Sequence, residues 1–121
     1  MNILTNEQTQ HIRQTLERRA TQLQLELAAH REARERADAE SGVADTKDIA
    51  DSQATDEMGA AEAERDRNEL AQIEAALQRL ELGRYGECSD CSETIDASRL
   101  LVQPAATRCL TCQAQRERMR A

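Results

Sequence analysis

Paired cysteines are the residues of this sequence best able to do chemistry. All four cysteines of the 121-residue chain fall into two C-x-x-C pairs, Cys88 with Cys91 and Cys109 with Cys112. Two such pairs separated by a loop are typical of a tetrahedral site in which four thiolates hold one zinc ion. Because protein sulfur fills all four positions, none is left for water or substrate. The spacing therefore predicts one structural Zn²⁺ and no catalytic metal chemistry.

Disulfide formation and thiol–disulfide exchange are the other chemistries open to these cysteines. Disulfides are a feature of secreted proteins. The N-terminal segment from Met1 to Thr5 has neither the basic residues nor the apolar run of a signal peptide. No strand–helix–strand pattern of the thioredoxin type surrounds either cysteine pair, and no apolar stretch approaches the length of a membrane span. These features predict a soluble, cytoplasmic protein that does not contact membranes.

The composition restricts how this chain can build a core. It has no Phe, no Trp and one Tyr, while 32% of its residues are charged. Apolar side chains must therefore gather in a narrow seam or in a small module closed by the metal. The formal net charge of −7 argues against nucleic acid as the main partner, because a nucleic-acid-binding protein needs a basic surface.

Two long helices are predicted ahead of the cysteines. Thr5 and Gln8 have the spacing of a capping box, which indicates a helix start. Apolar residues then recur three or four positions apart over residues 12–27, and we predict a helix over about residues 6–40. A short polar segment follows, and a second helix is expected over about residues 50–82.

Two helices of similar length joined by a short segment favour an antiparallel helical hairpin. We therefore predict a mainly α fold class: a coiled-coil hairpin over residues 1–82 with its tip near 41–51, then a small four-cysteine zinc-finger module over 83–121. Gly83 suits the C-cap of the second helix, and a short C-terminal helix is expected over residues 113–120. A parallel intermolecular coiled coil is the alternative. The glycine between two similar helical arms favours folding back, so we expect a monomer.

The segment between the cysteine pairs carries three further regularly placed residues. Together they read C-x-x-C-x-x-x-I-x-x-x-R-x-x-x-x-P-x-x-x-x-C-x-x-C, a pattern that resembles the signature of the DksA/TraR zinc-finger family without departure. A second pattern of that family, D-x-x-D-x-A, is matched at the predicted reversal of the chain. The residues that carry the two matches, besides the cysteines, are Ile95, Arg99 and Pro104 in the finger, and Asp45, Asp48 and Ala50 at the tip.

The resemblance implies a bacterial transcription regulator that is not an enzyme. In that family a hairpin enters the secondary channel of RNA polymerase, the zinc end stays outside, and promoter-complex stability changes without contact to DNA. By this resemblance, Asp45, Asp48 and Ala50 face the polymerase active site. Arg65 lies, by its spacing from the first cysteine, where the family places a basic contact to the channel rim. Arg65 is equally well explained as a helix-surface charge paired with a nearby glutamate.

The predicted tip is strongly acidic. Residues 38–57 contain seven acids against one base. Acidic side chains at a helix N-terminus cap free N–H groups and complement the helix dipole, which is enough to explain Asp51 and accounts in part for Asp48. Capping does not explain Asp45, which precedes the predicted helix.

The alarmone ppGpp is a further ligand that the resemblance brings up, through the stringent response. The spacing-equivalent positions in this chain carry no cation, so capture of phosphates there is not favoured. We expect weak or absent ppGpp potentiation. These positions are Glu69, Gln72, Gln103 and Gln113.

Three other functions fit parts of the sequence. A Gre-like transcript cleavage factor also presents an acidic hairpin tip, whose carboxylates would help to hold a catalytic Mg²⁺ in the polymerase, but such factors lack a four-cysteine finger. A zinc-stapled coiled-coil adaptor for another protein is the second. A DNA-binding zinc ribbon is the third, supported only by a few arginines and by no aromatic stacking residues. Those arginines are Arg108, Arg116, Arg118 and Arg120.

Overall fold

The computed structural model describes residues 4–40 and 46–120, except for the side chains of residues 40, 46–56 and 120. Over this part the chain is mainly α-helical and has no strand, only an isolated bridge between Glu87 and Thr94. None of the described helices is both long enough and apolar enough to cross a membrane. In chain order the helices are α1 (Asn6–Glu40), α2 (Thr46–Glu81), α3 (Ala97–Val102) and α4 (Leu110–Arg120).

The predicted capping box starts α1. The backbone N–H of Gln8 donates to Thr5 Oγ1 at 3.1 Å, and the backbone N–H of Thr5 donates to Gln8 Oε1 at 3.0 Å. Two N–H groups that lack partners inside the helix are thus satisfied reciprocally. The local sequence alone determines where this helix begins.

Helix α2 begins at Thr46, earlier than the predicted start near residue 50. Residues 43–58 contain neither Gly nor Pro, so nothing in the sequence stops the helix from extending towards the reversal. At its other end Gly83 has a φ of 71°. The N–H of Arg84 donates to the carbonyl of Arg79 at 2.9 Å, and that of Gly83 to the carbonyl of Leu80 at 3.3 Å. This is a complete Schellman motif, which confirms the predicted C-cap.

The chain forms two compact units, of which the first comprises Met1–Ala20 and Ala71–Ala121. Its core joins the beginning of α1 and the end of α2 to the cysteine-containing module. Large apolar side chains from all three are almost fully buried. They are Ile12 and Leu16 of α1, Ile73 of α2, and Tyr85, Ile95 and Leu100 of the module.

The second unit, Thr21–Leu70, contains the end of α1 and the beginning of α2. His30 Nε2 lies 3.7 Å from Asp66 Oδ2, whereas Ala37, further along α1, lines an open groove together with Met58, an earlier residue of α2. The numbering increases on one helix as it decreases on the other, so the two helices are antiparallel. The predicted fold class, a helical hairpin followed by a four-cysteine module and a short C-terminal helix, is confirmed.

Candidate metal centre

The first cysteine pair lies in a tight loop built by backbone hydrogen bonds. The N–H of Ile95 donates to the carbonyl of Gly86, and the N–H of Cys88 to that of Glu93, each at 2.7 Å. Within the loop, the N–H of Ser92 donates to the carbonyl of Cys88 at 2.9 Å. Ser92 has a φ of 64°, the left-handed conformation that lets the chain reverse directly after the cysteines. We refer to residues 88–92 as the first knuckle.

The second cysteine pair lies at the start of α4. Cys109 directly precedes the helix and Cys112 lies in its first turn. The backbone N–H of Cys112 donates to Cys109 Sγ at 3.5 Å. We refer to residues 107–112 as the second knuckle. A backbone bond of 2.8 Å from the N–H of Ser89 to the carbonyl of Thr107 joins the two knuckles.

The four sulfur atoms converge at distances that suit one metal ion. The Sγ atoms of Cys88, Cys91, Cys109 and Cys112 all lie within 4.8 Å of one another, and those of Cys91 and Cys109 are 3.8 Å apart. A zinc–sulfur distance of about 2.3 Å separates the sulfurs of a tetrahedral site by about 3.8 Å. The donor set and its spacing therefore fit a closed Zn²⁺ site with no open position.

The protonation of the thiols supports the same conclusion. Burial raises the pKa of Cys88, but backbone N–H groups of Cys109, Cys91 and Asp90 outweigh it and lower that pKa to about 6. The thiol of Cys109, followed by burial, raises the pKa of Cys112. Four thiolates so close together repel one another, so a cation is needed before all of them can ionise.

Residues before and between the knuckles hold the cysteine-containing module together. Leu100 of α3 is 1% exposed, and Tyr85 Oη donates to the carbonyl of Pro104 at 2.8 Å. Arg99 Nε donates to the carbonyl of Arg108 at 3.4 Å, directly before the second cysteine pair. From its sequence, the short apolar run of residues 100–102 is able to form a strand or to pack under the zinc. The structure shows it as part of helix α3, with Leu100 buried.

Three charged residues around the knuckles were not singled out as a group by their sequence pattern. Asp90 Oδ2 accepts from Arg108 Nε at 3.0 Å and lies 3.5 Å from Arg116 Nε. The contacts span 18 and 26 positions of sequence, beyond any helical period. The one available sequence signal was an acid inside one knuckle and arginines flanking the other.

The residues predicted to contact a polymerase lie in the second unit. Arg65 is exposed on α2 and forms no ion pair with another described side chain, so its predicted pairing with a glutamate is not observed. Asp45 lies outside the described residues. Asp48 and Ala50 fall near the start of α2, and their side chains are likewise outside the described part.

Comparisons with known proteins agree with this architecture. Residues 83–118 match the family model described as the prokaryotic dksA/traR C4-type zinc finger. Residues 83–118 therefore form a finger of the DksA/TraR C4 type, and its four-cysteine cluster is a structural zinc site.

Individual relatives sharpen that classification. The chain is 35% identical over 75 residues to the RNA polymerase-binding transcription factor DksA of Caulobacter vibrioides, which covers 62% of this chain and 53% of the relative. It is 36% identical over 50 residues to the protein of the same name from Haemophilus influenzae, covering 41% of this chain and 34% of the relative. The chain thus spans about half the length of the first of these curated relatives and about a third of the second.

Solved structures extend the likeness over most of the chain. Transcription factor DksA2 from Pseudomonas aeruginosa is similar with a TM-score of 0.78 and 27% identity, covering 95% of this chain and 87% of that one. An RNA polymerase binding protein and transcriptional regulator from Chlamydia trachomatis has a TM-score of 0.56 at 23% identity, covering 95% and 93%. The second likeness supports the fold alone.

Proposed function

We propose that this protein is a DksA-like transcription regulator that binds bacterial RNA polymerase through the secondary channel. The observation that carries the proposal is the combination of a DksA/TraR finger at residues 83–118 with a preceding antiparallel helix pair. That combination is similar to DksA2 over 95% of this chain. Curated relatives are named as RNA polymerase-binding transcription factors, not as enzymes.

The proposed mechanism uses shape and charge and includes no bond-making step. The hairpin, residues 1–82, would enter the channel, while the finger module, residues 83–121, stays outside. Asp45 and Asp48 would bring carboxylates towards basic groups near the polymerase active site, and the small Ala50 would permit close approach. The acidic segment that contains them has seven acids against one base, so it supplies negative charge to that region. Promoter complexes would be stabilised or destabilised accordingly.

Arg65 is the proposed contact to the rim of the channel. Its guanidinium is exposed and forms no ion pair within the part of the chain that the structure describes, whereas the neighbouring Arg67 donates to Glu64 at 2.9 Å. An unpaired guanidinium can meet a partner carboxylate without first breaking an existing ion pair. We expect Arg65→Ala to weaken polymerase binding by a few-fold in a titration, and Arg67→Ala to change it less.

Direct DNA binding is not part of the proposed function. Two of the arginines that supported a DNA-binding reading, Arg108 and Arg116, are within ion-pair distance of Asp90. We propose a cytoplasmic monomer whose partner is the polymerase. Potentiation by ppGpp through this protein is expected to be weak, because the four positions expected to receive it carry no cation. A purified transcription assay would measure this potentiation directly if it used a polymerase whose own, separate ppGpp site has been disabled.

Co-purification with core RNA polymerase is the first test, because an adaptor for another protein would not bind it. The second is transcription in vitro with Asp48→Asn, which is expected to keep polymerase binding but lose the effect on sensitive promoters. Glu57→Gln is the matched control, since it removes one charge from the same acidic segment and its side chain is exposed. Normal regulation by Asp48→Asn would show that the tip assignment is wrong.

The Gre-like alternative differs from the proposed function in that it predicts cleavage of RNA. A cleavage factor shortens the RNA of backtracked complexes, whereas a DksA-like regulator leaves it intact. Cleavage that depends on Asp45 and Asp48 would replace the proposed function with the alternative.

A further inference from the structure

The Asp90 carboxylate is the point where both knuckles and α4 meet electrostatically. Asp90 Oδ2 accepts a hydrogen bond from Arg108 Nε at 3.0 Å and lies 3.5 Å from Arg116 Nε. The side chains of Asp90 and Arg108 are 32% and 25% exposed, so their contact is partly shielded from water. The side chain of Arg116 is 51% exposed, which makes its contact the weaker of the two.

The three residues of these contacts lie close to the cysteines in the sequence. Asp90 lies between Cys88 and Cys91, inside the first knuckle. Arg108 directly precedes Cys109, and Arg116 follows Cys112 by four positions on α4, hence on the same helical face. The carboxylate therefore bridges the first cysteine pair to the residues on either side of the second.

The main chain at Asp90 connects the same carboxylate to a metal ligand. The backbone N–H of Asp90 is one of those that stabilise the Cys88 thiolate and lower its pKa. Next to it, the Ser89 N–H donates to the Thr107 carbonyl at 2.8 Å. A short segment of the first knuckle thus contacts the second knuckle through both backbone and side chain.

We propose that Asp90 is a positioning residue that closes the two knuckles on each other and docks α4, in parallel with the metal. The ion pairs join the same two chain segments that zinc joins, but they do so without occupying a coordination position. Before zinc binds, they keep the second cysteine pair close to the first. After it binds, they oppose the separation of the knuckles through which the ion would leave.

An effect of the Asp90 charge alone would change the rate of zinc release in the opposite direction. The direction of that change in a variant without the charge therefore tests the proposal. Four thiolates with one Zn²⁺ carry a net negative charge, and Asp90 adds a further negative charge near them. If Asp90 acted only through its charge, its removal would free Arg108 and Arg116 to stabilise the thiolates, and zinc would leave more slowly. If it acts by positioning, its removal lets the knuckles separate and zinc leaves faster.

The experiment measures transfer of zinc from the intact, zinc-loaded chain to a chromogenic chelator in excess. Asp90→Asn keeps the shape and the backbone N–H but removes the charge, and we expect roughly three- to fivefold faster release. Arg116→Gln should give a smaller increase. Asp96→Asn is the matched control: it removes one exposed carboxylate from the same module, and the Asp96 side chain does not cap α3.

Hydrogen exchange of the α4 amides provides a readout that does not depend on the metal's release. Loss of docking should accelerate exchange over Gln113–Met119 in both Asp90→Asn and Arg116→Gln, but not in Asp96→Asn. The proposal is overturned if Asp90→Asn releases zinc at or below the wild-type rate, or if α4 protection is unchanged. Should Asp90→Asn fail to fold, the double variant Arg108→Gln with Arg116→Gln removes the same ion pairs from the other side. Because the loss of two cations near the thiolates would by itself speed zinc release, α4 exchange is then the deciding measurement, and unchanged α4 protection overturns the proposal.

Discussion

The two compact units share the helices α1 and α2 but differ in what those helices bury. In the first unit, Ile12 and Ile73 are 1% and 2% exposed, and the finger adds Tyr85 and Leu100 to the same core. In the described part of the second unit, only Leu23 and Ala63 reach comparable burial. An open groove lies between the helices there. Its small lining residues are Ala28, Ala33, Ala37, Gly59, Ala60 and Ala63.

This difference separates two ways of keeping a helix in place. Large apolar side chains and a metal stabilise the first unit by burial and by coordination. Alanines favour the helical conformation but bury little area, so the second unit depends more on the intrinsic preference of its residues for the helix. The proposed function needs this, because a hairpin that enters a channel has to present a slim surface and cannot carry a thick core.

Removal of zinc is expected to have the largest effect, and to act on the first unit. Structural zinc contributes on the order of 10 kcal/mol to the folding of small finger modules. Without it, α3 and α4 should unfold, whereas most of α1 and α2 should remain. Because α3 and α4 hold 6 and 11 helical residues against 35 and 36 in α1 and α2, the far-ultraviolet circular dichroism should fall only in small part.

Hydrogen exchange during chelation distinguishes the two units directly. We expect protection to disappear over α4 and to persist over residues 21–38. Re-addition of zinc should restore it, which excludes oxidation of the thiols as the cause. Persistent protection of α4 without metal would mean that the core around Leu100 folds unaided.

Leu23→Ala is expected to have the next largest effect, in the second unit. Leu23 is 0% exposed, and its truncation should destabilise the helix pair by about 2–4 kcal/mol. Leu25 lies two positions away, is 68% exposed, and supplies the control Leu25→Ala, which should change little. Faster amide exchange over residues 57–67 in the first variant alone would show that Leu23 joins the helices. Equal behaviour of the two variants would show that the pair does not depend on this contact.

Features that depend on neighbouring residues were predictable, and features that depend on distant ones were not. The capping box at Thr5 and the C-cap at Gly83 are encoded within a few positions and were predicted correctly. The cysteine pairs were recognised because coordination chemistry restricts their spacing. The contacts of Asp90 arise only when the two knuckles fold together, so no periodicity reveals them. The proposed division at residues 82 and 83 stays a prediction, and the core crosses it, since Ile73 and Tyr85 belong to one compact unit.

Helix α3 shows how a short apolar run misleads. Leu100, Leu101 and Val102 read as a possible strand, because a run of this length has no measurable period. In the structure Leu100 is 1% exposed while Val102 is 80% exposed. The short helix buries a single member of the run, and the local sequence does not indicate which one.

Ionisation of Tyr85 at alkaline pH is expected to lower the stability of the first unit by a smaller amount. Burial raises its pKa to about 12, above the value of about 10 expected when unfolded. Since the folded-state pKa is the higher one, this contribution to stability is complete below about pH 10 and is lost as the pH rises towards about 12. Tyr85 is the only tyrosine, so the ultraviolet absorbance of its phenolate reports this titration without interference.

Tyr85→Phe separates the hydrogen bond from the burial. The ring stays packed, but the bond of 2.8 Å to the Pro104 carbonyl is lost, which should cost about 1 kcal/mol in thermal or chemical unfolding. The alkaline loss of stability should be smaller in this variant. An ordinary titration of Tyr85 near pH 10 in the folded protein would contradict the burial of its hydroxyl.

Two glycine substitutions of opposite sign give the smallest effects and the sharpest comparison of the units. Gly83, in the first unit, has a φ of 71°, so Gly83→Ala places a side chain in the left-handed region and should cost about 1 kcal/mol. Gly59, in the second, lies inside α2 with nothing within 4 Å of an added Cβ, so Gly59→Ala should stabilise the helix by about 1 kcal/mol. Both changes remove the same flexibility from the unfolded chain. A difference in sign, measured by chemical unfolding of the zinc-loaded protein, therefore reports the folded conformation at each position. Destabilisation by Gly59→Ala would instead show that α2 needs a flexible residue there, and would contradict the account of the second unit as limited by helix preference.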